Sequence, residues 1–238
     1  MLSVALAGSS VLLYALLYRY GGGRDQVVQW LLGSLAFLPV QVLLVTLVVD
    51  RLLARREKLA VMKKLNMVIG AFFSEAGTEL LGILASFDPD VEGIRADLVP
   101  SADWSAGDFA RARARIAGYD CRIDALAGDL PALKAYLAGK REFLLALLGN
   151  PNLLEHESFT DLLWAIFHLA EELVHRDDLR GIAGADAAHL GGDIRRAYLL
   201  AASEWVAYLA HLREDYPYLH SLAVRTNPLD PSASVEIR

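Results

Sequence analysis

The chain has 238 residues, 55% of them hydrophobic and 22% charged, with a mean hydropathy of +0.33 and a formal charge of −6. So much apolar surface is more than one soluble core absorbs, and a bilayer is the usual place for the excess. The acidic balance, with no basic stripe outside the flank of the apolar segments, argues against a nucleic-acid partner, and the single cysteine, Cys121, excludes an intramolecular disulfide.

Charge is segregated along the chain. The first fifty residues carry only Arg19, Arg24, Asp25 and Asp50 as charged groups. Residues 2–18 are uncharged, rich in Leu, Val and Ala, and end in Tyr14 and Tyr18, where aromatic rings favour the headgroup level. No Lys or Arg precedes this run, which argues against a cleaved signal peptide. Gly21, Gly22 and Gly23 then predict a tight turn. A second uncharged run, 27–49, is long enough to span with some tilt; Pro39 in its middle predicts a kink, and Gln29 and Gln41 can hydrogen-bond across helices.

Residues 1–53 therefore read as a transmembrane hairpin. Arg51, Arg55, Arg56, Lys58, Lys63 and Lys64 crowd the exit of the second span. By the positive-inside rule both termini lie in the cytoplasm of a cell-membrane protein, and the same cluster can grip anionic lipid head groups.

No Gly or Pro interrupts 50–69, and Leu52, Leu59, Met62, Leu65 and Ile69 recur at helical spacing. The second span is expected to continue as a juxtamembrane helix over 54–86. Pro89, Gly93 and Pro100 predict a loop over 87–107. Residues 108–215 predict a cytoplasmic helical bundle, with helices from about Asp108, over 131–148, over 158–175 and over 186–214. Pro131 opens the second of these, and Ser158 or Thr160 is placed to cap the third. The prolines of 216–238 predict an extended tail. No alternating strand pattern is present, so the fold class is all-α: a two-helix transmembrane hairpin followed by a helical bundle.

Three constellations could carry chemistry. His168, Glu171, Glu172 and His175 share one helical face, and Glu172-x-x-His175 has the carboxylate–imidazole spacing of metal-binding bundles. The opposite side is Leu162, Leu163, Ile166, Phe167, Leu169, Leu173 and Val174, so the polar stripe reads first as that of an amphipathic helix meeting water. Glu75 and Glu79 sit one turn apart in a stretch that is apolar nearly all round, where paired carboxylates need a cation, a metal, a shared proton or solvent. Glu204 and His211 share a third face.

No phosphate loop, nucleophile elbow or paired-cysteine motif is present. The leading expectation is a non-enzymatic membrane module whose cytoplasmic domain assembles with itself or with a protein partner, as a scaffold or signal transmitter. The alternative is an enzyme or sensor with an iron, manganese or zinc centre built from these glutamates and histidines. An oligomeric channel ranks third, because only Ser34, Gln29 and Gln41 offer a polar lining.

Overall fold

The computed structural model describes residues 15–16, 18–19, 24–101, 103–151, 153 and 156–236, which form helices and no strand. The chain divides into two compact units, Met1–Leu59 and Ala60–Arg238.

In the first unit, the expected span over 2–18 and the glycine turn lie outside the described residues, apart from four helical positions between 15 and 19. A long helix, α1, covers Arg24–Phe72 and runs unbroken past position 39. Trp30, Val45, Leu47, Val48, Val49, Leu52 and Leu53 are all exposed on it, followed by exposed Arg51, Arg55 and Arg56. Among the described residues one helical stretch, Val45–Ala85, is long and apolar enough to cross a membrane; 44% of its most apolar window is buried within the protein, as in a core helix.

The second unit is the bundle. The last turns of α1 enter its core through Leu65, Ile69 and Phe72. A π-helical turn, Phe73–Gly77, follows, and its widened ring is closed by Thr78, whose backbone N–H and hydroxyl both donate to the Phe73 carbonyl. Helix α2 (Thr78–Ala85) continues to the turn at Ser86. The all-round apolarity of 65–84 is thus that of a core element: Phe72, Phe73, Leu80, Leu81 and Leu84 are fully buried, and Phe73 stacks on Tyr208 and tilts against Trp205.

Helix α3 (Glu92–Leu98) occupies part of the expected loop 87–107. Its Ile94 and Leu98 are buried, one turn apart; that pair outweighs Gly93, which sits in the first turn where a glycine costs little. Helix α4 (Ala106–Ala117) starts with a capping box, Ser105 and Asp108 bonding to each other's backbone N–H. Helix α5 (Leu130–Leu148) is capped by Asp129, with Pro131 in its first turn and Gly149 at its end.

Helix α6 (Glu157–Val174) is capped by neither Ser158 nor Thr160. The His156 ring accepts from the Phe159 N–H at 3.3 Å, and the Thr160 hydroxyl is turned back to the carbonyls of Leu153 and His156. Helix α7 (Gly184–Asp215) is the axis of the unit, packing against α2, α3, α4 and α6.

The expected extended tail is instead led by a helix, α8 (Pro217–Arg225), also packed on α7. Pro217 sits in its first turn, where a missing N–H costs nothing. Beyond it, Asn227 and Leu229 are buried.

Candidate functional site

The amphipathic pattern of α6 turns its leucines into the core and leaves His168 on the outer side, one turn before Glu172. On α7, His189 and Asp193 repeat that spacing. Because α6 and α7 pack along one another, the two pairs meet. His168 Nε2 and His189 Nε2 each lie 3.4 Å from the same atom, Asp193 Oδ2. Among the described residues these three form the one group of three or more histidine, cysteine or carboxylate donors placed to share an ion, with their donor atoms all within 4.8 Å of one another.

Asp193 is 3% exposed, and its Oδ2 accepts no hydrogen bond. Its other oxygen faces Arg196 Nη1 at 3.5 Å. The two imidazoles are open to solvent, at 46% and 53% side-chain exposure.

Glu172 borders this group, with Oε2 3.7 Å from His189 Nε2. The same oxygen accepts from Arg176 Nη1 at 2.6 Å, and this hydrogen bond holds the Glu172 carboxyl below the usual carboxylate range. Arg176 is shared: its Nη2 donates to Asp186 Oδ1 at 2.7 Å, which depresses Asp186 likewise.

The remaining sequence candidates do not join this group. Glu171 pairs with Arg141, whose guanidinium also lies over the Phe167 ring at 5.2 Å. His175 ends α6, its Nδ1 donating to the Glu171 carbonyl at 2.8 Å. Glu75 and Glu79 are exposed; Lys140 Nζ donates to Glu75 at 2.8 Å, and burial, followed by the two carboxylates, pushes the pKa of the neighbouring Tyr136 phenol above its ordinary value and so opposes its ionisation. Glu204 is buried in α7. His211 Nδ1 lies 2.9 Å from Asp215 Oδ2 and 3.2 Å from Asn66 Nδ2, at the edge of an open cleft of about 560 Å³ lined also by Lys63, Gly70 and Tyr208. Of the basic cluster, Arg51, Arg55, Arg56, Lys63 and Lys64 are exposed, and the Lys58 side chain lies outside the described residues.

The sequence reading named His168 and Glu172 and missed their partners on α7. The available signal was His189-x-x-x-Asp193, which repeats the His168-x-x-x-Glu172 spacing on the neighbouring helix.

Two family models match the chain: "MJ1433, N-terminal helical domain" over residues 1–53, and "Uncharacterized protein MJ1433, C-terminal helical domain" over residues 61–225. A protein of Methanocaldococcus jannaschii, named "Uncharacterized protein MJ1433", is 44% identical over 229 residues, covering 96% of this chain and 92% of that one. No solved structure matches.

Proposed function

The chain belongs to the MJ1433 family, and from that premise we propose that it is an integral membrane protein whose helical bundle is a cytoplasmic assembly and signal-transmitting module. The observation that carries this is the uncovered apolar surface of α1. Val45, Leu47, Val48, Val49, Leu52 and Leu53 are exposed in succession, so no single side of the helix is kept for packing within the chain. Water is a poor solvent for such a surface; hydrocarbon is a good one. With residues 2–18 as the other arm of a hairpin, both termini lie in the cytoplasm of a two-span cell-membrane protein. Arg51, Arg55 and Arg56 then sit at the lipid head groups. Gln29 and Gln41 on the second span favour association of copies within the bilayer.

Two measurements test this reading. The protein should stay in the membrane fraction through an alkaline carbonate wash, and in mild detergent light scattering should give a mass above that of one chain. Release by carbonate would sink the membrane assignment, and a strictly monomeric mass would sink the assembly. A second reading, that the bundle responds to a divalent metal, is favoured by the His168–His189–Asp193 group.

A further inference from the structure

We propose that His168, Glu172, His189 and Asp193 form a binding site for one divalent transition-metal ion of the zinc class, seated between α6 and α7. The proposal rests on the packing of these two helices and is independent of the membrane reading.

Geometry is the first argument. Ligand bonds of ~2.0–2.2 Å around a tetrahedral ion place neighbouring donor atoms ~3.3–3.6 Å apart. His168 Nε2 and His189 Nε2 each stand 3.4 Å from Asp193 Oδ2. Two edges of such a tetrahedron are therefore already set, and the third pair of donors is within 4.8 Å.

The second argument is the state of Asp193. A carboxylate oxygen buried without a hydrogen bond is costly, and Oδ2 is in that position. Arg196 Nη1 faces the other oxygen, Oδ1, at 3.5 Å. A cation held by the two imidazole nitrogens lies directly in front of Oδ2 and supplies the missing partner.

Glu172 completes the set. Its Oε2 borders His189, and its charge is paired with Arg176. Arg176 has two other acceptors, the Asp186 carboxylate at 2.7 Å and the Glu172 main-chain carbonyl. It can therefore give up the Glu172 carboxylate and remain satisfied. The bound ion takes His168, His189 and Asp193 first, and Glu172 leaves Arg176 to become the fourth ligand.

Two neutral imidazoles and two carboxylates cancel the charge of a divalent ion, and this nitrogen–oxygen set suits zinc, iron(II) or manganese better than copper(I) or an iron–sulfur cluster. The half-exposed imidazoles leave an entry path from solvent. Because the ligands come from both helices that flank the connection 175–183, an occupied site clamps that connection.

The test uses the full-length protein in detergent, without a polyhistidine tag and stripped with chelator. Cobalt(II) serves as the spectroscopic probe and zinc as the competitor. The expected result is one cobalt per chain, with the strong visible bands of a four-coordinate nitrogen–oxygen site, displaced stoichiometrically by zinc. His168→Ala, His189→Ala and Asp193→Asn should each lose the bands while keeping the wild-type far-ultraviolet circular dichroism. His175→Ala, outside the group, should keep them. Arg176→Gln should tighten cobalt binding severalfold by freeing Glu172, and Glu172→Gln should weaken it.

No uptake by the wild type at stoichiometric cobalt or zinc would overturn the proposal and leave the group holding only protons. Uptake that survives in the His168→Ala/His189→Ala double variant would overturn it too, by placing the ion elsewhere. If the His168, His189 and Asp193 variants fail to fold, zinc-dependent thermal stabilisation of the wild type, reversed by chelator and reduced in Glu172→Gln, decides the question.

Discussion

The side-chain amide of Asn227 donates to the main-chain carbonyl of Leu98 at 2.7 Å, and both residues are fully buried. The same amide accepts, through Oδ1, from the Leu229 N–H at 2.9 Å, and the Leu229 carbonyl in turn receives Arg95 Nη1 at 2.6 Å. One side chain thus ties the segment after α8 to α3, some 130 residues earlier. Replacing Asn227 by Ala orphans a buried acceptor and a buried donor together, at about 2–3 kcal/mol. At 2–4 °C per kcal/mol for a unit of this size, the melting temperature should fall by roughly 4–12 °C. A melt of Asn227→Ala unchanged within error would mean that the strap does not hold the bundle.

This contact also marks where the sequence stops being legible. Prolines at 217, 228 and 231 argue for an extended tail, and locally that inference is sound. It fails at Pro217, which a first helical turn accepts, and at Asn227, whose partner is far away in sequence. The all-helical character, the Pro131 start of α5 and the apolar stripe of α6 were legible because each is a matter of residues within one or two turns. Glu75 looked anomalous because its counter-ion, Lys140, is 65 positions away. The cluster was half visible for the same reason: His168 and Glu172 form a pattern within α6, but their register against His189 and Asp193 depends on how the connection 175–183 folds back.

His220 on α8 is buried, its ring edge-on to Phe109, and its Nε2 has no hydrogen-bond partner. Burial, assisted by the nearby Arg213 charge, pushes its pKa below the ordinary value of 6.5. The sign follows directly. The unfolded chain binds a proton near pH 6.5 and the folded chain only at lower pH, so stability is full above that value and is lost as pH falls through it. Urea unfolding of the wild type should therefore shift to lower midpoint between pH 7 and 5, and His220→Phe should flatten that part of the profile. An equal acid dependence in both proteins would show that other groups govern it.

Cys121 is 3% exposed, in the segment between α4 and α5. Burial, and then the Asp88 charge, push its thiol up to about 12. At pH 8 the folded protein holds about a thousandfold less thiolate than the unfolded chain, before any steric shielding is counted. Labelling by an aromatic disulfide should be slow in native buffer and complete within mixing time in concentrated urea. Rapid native labelling would contradict the burial of this segment. The thiol also makes an alkaline contribution: between pH about 9 and 12 the unfolded chain ionises first, so stability declines as pH rises.

Two glycines give a matched pair with opposite expected signs. Gly128 lies against Phe87, and a Cβ at this position would sit 2.6 Å from two carbons of that ring. Phe87 has no room to retreat: it is fully buried, and its own carbonyl is fixed by the Asp124 N–H at 3.0 Å. Gly128→Ala must therefore displace either the ring or the backbone before α5, which costs about 1–3 kcal/mol as in other overpacked cores. Gly93, in the first turn of α3, has nothing within 4 Å of its would-be Cβ. There alanine only restricts the unfolded chain and favours the helix, for a gain of up to about 1 kcal/mol. Urea titrations of the two variants should bracket the wild type, Gly128→Ala below and Gly93→Ala at or above it. A neutral Gly128→Ala would mean that Phe87 is not clamped between α2 and the 124–128 turn. A destabilising Gly93→Ala would mean that this part of the chain is not the helix described.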